Sequence, residues 1–353
     1  MNPIPRVLRA VDLFQRRTPG LNFGYAVLKK FGQDSAGSLA ALVAYYGFLS
    51  LFPLLLVLIT VLGLVATPSV QHSVLHSALA QFPIVGNQLT GPRGIHSLRA
   101  GSVVGLIIGL IGLVWGSQGI CSAAQNAMAG VWNVPQVDRP GYLQRLGRSV
   151  EFLAVLLLDV VITTVLAGIA TFGGTAWYVR VASGVITFVV DIALYVLAFR
   201  VLTPKTIGTR GLVPGASVAG IAWAILQYVG TFLVGHQLKH SSQVYGYFGS
   251  ILGLLAFLYL AAEITLYAAE GNVVWQRRLF PRALQPPLTP ADRSALADLA
   301  REGERRRGDE IHVHLEEGVS GPQEGAGGVP DGQAPATGER DPSTRAQQPG
   351  RTG

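Results

Sequence analysis

The sequence predicts an all-α membrane protein with six transmembrane helices, and three observations point to this fold class. Half of the residues are apolar and only 13% are charged, a balance that suits a lipid-embedded chain and leaves little material for a second folded domain. Six long apolar stretches reach or exceed the roughly 20 residues that cross a hydrocarbon core of about 30 Å. Basic residues alternate between the connecting segments. The six predicted spans are residues 39–66, 101–123, 150–172, 182–202, 213–234 and 248–271.

The basic residues predict the orientation of the chain. They gather before the first span and in every second connection, at Arg6, Arg9, Arg16, Arg17, Lys29, Lys30, Arg139, Arg145, Arg148, Arg200, Lys205, Arg210, Arg277, Arg278 and Arg282. The other loops hold only Arg93, Arg99, Arg180 and Lys239. The positive-inside rule therefore predicts that both termini are cytoplasmic. We attribute the net charge of +7 to this topology and to contact with membrane lipids rather than to nucleic acid, because no basic stretch is interleaved with aromatic residues.

The segments outside the spans differ in composition. Residues 1–38 are predicted to form cytoplasmic amphipathic helices, the first of which places apolar side chains opposite the arginines and ends at Pro19-Gly20. Residues 39–275 are the predicted six-helix transmembrane domain. Residues 286–353 are rich in Pro, Gly, Glu, Gln and Arg and are predicted to be a disordered cytoplasmic tail, apart from a short helix that begins after Thr289.

Acidic residues within the apolar stretches are the strongest candidates for function. Asp159 in span three, Asp191 in span four and Glu263 in span six have no lysine or arginine at comparable depth. Because a charge in the bilayer is costly, these acids should carry a proton, bind a cation or contact a cationic substrate group. Equally, each could simply hydrogen-bond a neighbour such as Tyr195. Gln227 in span five adds a polar side chain that could face the same interior.

Two of these acids are predicted to lie at one level. Spans three and four are joined by a short outer turn, and Asp159 and Asp191 are each about ten residues from it. The two helices therefore bring both carboxyls to the same depth, and their rotation decides whether they meet. Glu270 follows Glu263 by seven residues and lies on a similar face, near the cytoplasmic exit. With Asn272, it could cap the helix or pair with Arg277 or Arg278 at the interface.

The first span carries a proline inside an aromatic segment. Its sequence is Tyr45-Tyr46-Gly47-Phe48-Leu49-Ser50-Leu51-Phe52-Pro53. Pro53 lacks a backbone donor and displaces the carbonyl four residues earlier, which predicts a kink. A broken helix that lines a substrate site is the alternative. Glycines recur at helical spacing in span two, which predicts close packing of that helix.

Signatures of enzymes and metal sites do not occur in the sequence. There is no phosphate-binding glycine loop followed by lysine and serine, no G-x-S-x-G turn and no H-E-x-x-H helix. His72, His76 and His96 all lie in the first outer loop, and we interpret them as solvated histidines. The single cysteine, Cys121, has no partner for an internal disulfide. We therefore predict no catalytic residue, metal or cofactor.

Four ordered segments resemble motifs of the YihY/BrkB family of bacterial inner-membrane proteins. The stretch from Ala40 to Pro53 resembles the family's first span, and Asn126-Ala127-Met128-Ala129-Gly130-Val131-Trp132 resembles the end of its second. Gly211-Leu212-Val213-Pro214-Gly215-Ala216 resembles the start of the fifth. The last loop and span are similar in Ser242-Gln243-Val244-Tyr245-Gly246, Leu258-Tyr259-Leu260 and Tyr267-Ala268-Ala269-Glu270-Gly271-Asn272. Glu263 departs from the resemblance, which leads us to expect an uncharged residue there.

The resemblance implies a six-helix fold in the bacterial inner membrane with both termini cytoplasmic. The family carries an old ribonuclease label and has been linked with envelope integrity and lipid export. From the apolar spans and their few acids, we expect a transporter or flippase-like protein for a lipid or other amphiphilic envelope component. A non-transporting membrane scaffold in envelope assembly is the alternative. A ribonuclease is a remote alternative, because phosphodiester cleavage needs metal-binding carboxylates or histidines beside basic contacts on a wet surface.

Overall fold

The computed structural model describes residues 4–65, 103–172, 177–204, 207–237, 246–306 and 311, which form helices and turns without a strand. The α-helices of this part of the chain are α1 (Ile4–Arg17), α2 (Pro19–Gln33), α3 (Ala36–Val65), α4 (Val103–Val131), α5 (Tyr142–Phe172), α6 (Trp177–Leu202), α7 (Thr209–Gln237), α8 (Gly246–Gln276) and α9 (Pro290–Arg301). A short 3-10 helix covers Gln136–Asp138. The fold is all-α, as the sequence predicts.

Helices α3 to α8 contain 26 to 31 residues each, so each exceeds the thickness of a hydrocarbon core at 1.5 Å per residue. Three described segments are both long and apolar enough to cross a membrane, namely Gly184–Leu202, Thr209–Gly230 and Ile251–Gln276. A shorter apolar segment, Ala36–Leu51, lies in α3. The count of six crossings therefore stays a prediction. The first outer loop with its three histidines, residues 238–245 and residues 312–353 lie outside the described residues.

The helices pack mostly against their neighbours in the chain. Helix α3 packs on α4, α5 on α6, α6 on α7 and α7 on α8, while α8 also packs on α2, α3 and α4. The buried core lies at the end of the bundle where α2, the starts of α3 and α7 and the ends of α4, α6 and α8 meet, which we call the basic end. Small side chains such as Ala26, Ala40, Ala127 and Ala216 are fully buried there, which lets helix backbones approach closely.

Glycines of α4 form the surface on which α3 rests. A Cβ atom added at Gly119 would lie 2.6 Å from the Tyr46 ring, and one added at Gly116 would lie 3.1 Å from the Ser50 Cα atom. Pro53 packs in the same way on Gly112. Helix α3 is continuous through Pro53, so the broken-helix alternative does not describe this span. Gly112, Gly116 and Gly119 are thus packing residues.

Residues 277–306, which we call the C-terminal strap, are ordered and lie against the basic end. Within the strap, Thr289 caps α9 and forms a reciprocal capping box with Asp292. Arg277 donates to the Trp132 carbonyl at 2.7 Å, and the Val137 amide donates to the Glu304 carbonyl at 3.1 Å. The prediction of disorder from residue 286 is therefore corrected for residues 286–306. Composition was misleading because Asp292 and Glu302 of this segment pair with Lys29 and Arg139 of the bundle.

Candidate functional site

Two of the predicted acids lie close together in the transmembrane helices. Asp159 on α5 and Asp191 on α6 are both partly buried, and they lie near enough to interact electrostatically. Tyr195, one turn after Asp191, lies within the same range of both carboxyls. Its hydroxyl also hydrogen-bonds with Thr265 on α8. We call Asp159, Asp191, Tyr195 and Thr265 the membrane polar group.

Hydrogen bonds connect the membrane polar group across helices. Thr265 donates its hydroxyl proton to the Ala261 carbonyl at 2.7 Å, and it also hydrogen-bonds with Tyr195. The group thereby connects three helices, α5, α6 and α8. Two carboxyls near each other in a medium of low dielectric resist ionising together. Such a pair can take up a proton or attract a cation.

The other predicted candidates within the spans lie elsewhere. Gln227 is partly buried on α7. Glu263 precedes Thr265 by two residues, a rotation of about 200° in an α-helix, so it lies on a different face of α8. That face also carries Tyr267, which interacts with Glu263 electrostatically and stacks on Phe31 of α2 with ring centroids 3.8 Å apart. This face of α8 therefore packs on α2 at Tyr267, and it is not the face that carries Thr265.

Glu270 lies on this same face, at the basic end. Its side chain is fully buried, and its Oε2 atom is 3.0 Å from Lys30 Nζ. Lys30 also pairs with Asp34 and donates to the Val131 carbonyl at 2.8 Å. The predicted pairing of Glu270 with Arg277 or Arg278 is thus wrong, because Lys30 enters from α2 and occupies this position. Arg277 instead pairs with Asp298 at 2.8 Å.

A second buried ionic group holds the C-terminal strap. Arg282 is fully buried and lies 2.8 Å from Asp292 Oδ1, and it donates to the Gln33 side chain. Lys29 lies 2.9 Å from the same Asp292 oxygen. Burial alone would raise the pKa of Asp292, but hydrogen bonds from Lys29, the Ala283 amide and Thr289 lower that pKa to about 2. Burial lowers the pKa of Arg282, and the neighbouring Asp292 opposes this effect.

The ionic residues of the basic end were missed as partners by sequence reasoning. On the sequence alone, Lys29, Lys30 and Arg282 count only toward the predicted topology, and neither Asp34 nor Asp292 is a candidate. Charged residues near membrane interfaces are normally solvated, so their number alone gives no signal of burial. The one usable signal was the pattern Thr289-Pro290-Ala291-Asp292, which is typical of a capping box at a helix start.

Asn272 joins two of the segments that carry the family resemblance. Its Oδ1 atom accepts from the Gly215 amide at 2.7 Å, and its Nδ2 atom donates to the Leu212 carbonyl at 3.0 Å. These bonds fix the start of α7 on α8, next to Pro214, which lacks an amide donor. A Cβ atom at Gly215 would lie 2.4 Å from Asn272 Nδ2. The glycine is therefore required for this contact.

The aromatic segment of the first span lies at the contact between α3 and α4. Tyr45 and Tyr46 meet edge to face with centroids 5.3 Å apart. Ser50 donates to the Gly47 carbonyl at 2.8 Å, within its own helix. Tyr46, Ser50 and Pro53 face the glycines of α4. In this structure these motif residues pack α3 against α4.

Comparison with known proteins places the chain in a family. A family model described as Virulence factor BrkB matches residues 27–292. The chain is 23% identical to Inner membrane protein YhjD of Escherichia coli strain K12 over 288 residues, 76% of this chain and 85% of that protein. It is 22% identical to Putative ribonuclease-like protein YfkH of Bacillus subtilis strain 168 over 278 residues, 73% of this chain and 96% of that protein. No solved structure matches. Because the family model covers most of the chain and apolar helices form its body, this is a membrane protein of the BrkB family.

Proposed function

We propose that this protein is a multi-pass inner-membrane transporter or flippase-like protein for a lipid or another amphiphilic envelope component. The membrane polar group is the observation that carries the proposal. Two carboxyls, a tyrosine and a threonine from three different helices interact within apolar segments. Ionisable residues at such positions are expensive to place in a membrane and commonly mark substrate or proton pathways.

The surroundings of the membrane polar group favour an amphiphile over a strongly hydrated solute. The helices that carry it are apolar along most of their length, so a path beside them suits acyl chains. The carboxyls can contact a polar or cationic headgroup. In this proposal the pair exchanges a proton during each transport cycle, because binding and release of a headgroup alter the charge that the site can hold.

Lipid transfer in reconstituted vesicles tests the proposal. Full-length protein is placed in vesicles with a fluorescent phospholipid, and its movement between leaflets is followed with a membrane-impermeant quencher. Asp159→Asn and Asp191→Asn keep the size of each side chain and remove the charge. Glu151→Gln is the matched control, because Glu151 is an exposed carboxylate on α5, the helix of Asp159.

The two candidate functions give different results in this assay. A transporter predicts that both aspartate variants insert normally and lose transfer at least about tenfold, a loss of about 1.4 kcal/mol in transition-state stabilisation, while Glu151→Gln transfers as the wild type does. A scaffold predicts no protein-dependent transfer in any sample. Wild-type transfer in both aspartate variants would contradict the proposed site.

A further inference from the structure

A small recess lies at the basic end between α4, α5 and α6. Three arginines, Arg139, Arg145 and Arg148, line it together with the side chains of Gln125 and Asn126. Its empty volume is about 210 Å³, including open space at its mouth. Because this volume includes open space, the recess has no room to enclose an amphiphile.

Arg148 is a buried cation without a close counterion. Only 9% of its surface is exposed, and within the described ranges its guanidinium takes part in no hydrogen bond and no ion pair within 4 Å. Glu151 attracts it from a greater distance, and Arg200 repels it. Burial is the main factor that lowers the pKa of Arg148, with Arg200 adding to the effect. A buried guanidinium in this position lacks the paired anion that such groups normally have.

The other two arginines add donors and charge. Arg145 uses its Nε atom to donate to the Pro140 carbonyl at 2.9 Å, and its terminal nitrogens have no partner within the described part of the chain. Arg139 pairs with Glu302 at 2.6 Å. With one of three charges neutralised at close range, the recess keeps an excess of positive charge. Guanidinium groups bind phosphate through paired, charge-assisted hydrogen bonds.

The recess also lies at the level expected for a membrane surface. Arg148 precedes the predicted third span by two residues, and Arg200 lies in the last turn of α6. Tyr142 and Leu143 in the first turn of α5 are largely exposed, at 71% and 80%, as aromatic and apolar residues are at a lipid interface. We propose that the arginine recess binds a phosphate group, whose source is the headgroup of an anionic phospholipid. Free inorganic phosphate shares this chemistry and is the second source to test.

Native mass spectrometry of the full-length protein in detergent measures this binding without any transport step, so its result is independent of the proposed function. The probes are dioleoylphosphatidylglycerol, inorganic phosphate and dioleoylglycerol, which has the same acyl chains without the phosphate. The variants are Arg148→Gln and Arg145→Gln. Arg210→Gln is the matched control, because Arg210 is an exposed arginine at the start of α7, at the same end.

We expect phosphatidylglycerol to bind wild type and Arg210→Gln equally, and the two recess variants about tenfold more weakly. Arg148→Lys should keep part of the affinity, because it keeps the charge but loses the paired donors of the guanidinium. If Arg148→Gln does not fold, Arg145→Gln supplies the same comparison at a more accessible side chain.

Competition between the probes identifies the source. Loss of lipid binding in the recess variants, with no binding of inorganic phosphate, supports the headgroup. Variant-sensitive binding of inorganic phosphate supports the shared phosphate chemistry with a free anion as its source. Two results would overturn the proposal. One is that the affinities for phosphatidylglycerol and for inorganic phosphate are each the same in the wild type and in the recess variants. The other is that dioleoylglycerol binds as tightly as phosphatidylglycerol.

Discussion

At the residue scale, Lys30 pairs with two carboxylates in the protein interior. It pairs with Asp34 and with Glu270, and its own side chain is 2% exposed. Lys30 and Glu270 contribute unequally to this group of charges. Without Lys30 both acids lose their cation, whereas without Glu270 the lysine still has Asp34 and the Val131 carbonyl. Loss of Lys30 should therefore destabilise the protein more than loss of Glu270.

We expect Lys30→Met to destabilise the protein by about 3–5 kcal/mol, because it leaves buried carboxylates uncompensated. Glu270→Gln should cost only about 1 kcal/mol, since Lys30 keeps its contacts with Asp34 and the Val131 carbonyl. Thermal unfolding of the detergent-purified protein checks both values, with exposed Arg210→Gln as the control. Equal losses in the two variants would contradict the arrangement of charges at the basic end.

Asp292 gives the C-terminal strap a dependence on pH. Its pKa is about 2 in the folded protein and about 3.9 in an unfolded chain. A depressed carboxyl pKa stabilises the folded state above the unfolded value, and this contribution disappears as the pH falls through the folded value. The strap should therefore lose about 2 kcal/mol between pH about 4 and pH about 2.

Hydrogen exchange of the strap amides at several pH values measures this loss. In the wild type, protection of residues 290–301 should fall below pH 4 more than the intrinsic exchange rates explain. Asp292→Asn should already show reduced protection at pH 7, with a weaker dependence on pH. Unchanged protection in Asp292→Asn would show that the ionic contacts do not hold the strap.

At the element scale, the packing of α3 on α4 depends on a close approach at Gly119. A Cβ atom there would lie 2.6 Å from the Tyr46 ring, a distance that forces the ring or the helix to move. Gly119→Ala should therefore destabilise the protein by about 1–3 kcal/mol, in spite of the higher helix propensity of alanine. Thermal unfolding measures the change.

Two further variants make the Gly119 prediction specific. Gly249→Ala is the control, because Gly249 is a helical glycine of α8 with no atom within 4 Å of the added Cβ, and it should be neutral or slightly stabilising. Adding Tyr46→Ala to Gly119→Ala should recover part of the loss by removing the ring. Additive losses in the double variant would mean that the two residues do not meet.

Sequence reasoning at this scale succeeded for the helices and failed for contacts between charges. The long apolar runs gave α6, α7 and α8, and Thr289 marked the start of α9, because length, hydropathy and capping are local properties. It also placed Asp159 and Asp191 at matching depth, and the structure brings them within electrostatic range. Lys30 with Glu270 and Arg282 with Asp292 could not be predicted. These pairs join residues far apart in the chain, and helix rotation decides which of them meet.

At the scale of the whole molecule, the topology is open to a direct test. The arginine pattern predicts that residue 141 is cytoplasmic and residue 88 is outside. Single cysteines at these positions are introduced into Cys121→Ser, which removes the native thiol. A membrane-impermeant maleimide added to intact cells should label Gln88→Cys and spare Gly141→Cys until the membrane is opened. Labelling of Gly141→Cys but not of Gln88→Cys in intact cells would show that the topology is the reverse of the predicted one.

The central claim is that Asp159 and Asp191 act as one site during lipid transfer. The most direct test is the rate of phospholipid transfer in vesicles for Asp159→Asn, Asp191→Asn and the double variant, at equal amounts of inserted protein. Residues that work as a unit are strongly non-additive. We predict that the double variant is no slower than the slower single variant. Losses that multiply in the double variant, or a wild-type rate in either single variant, would contradict the claim.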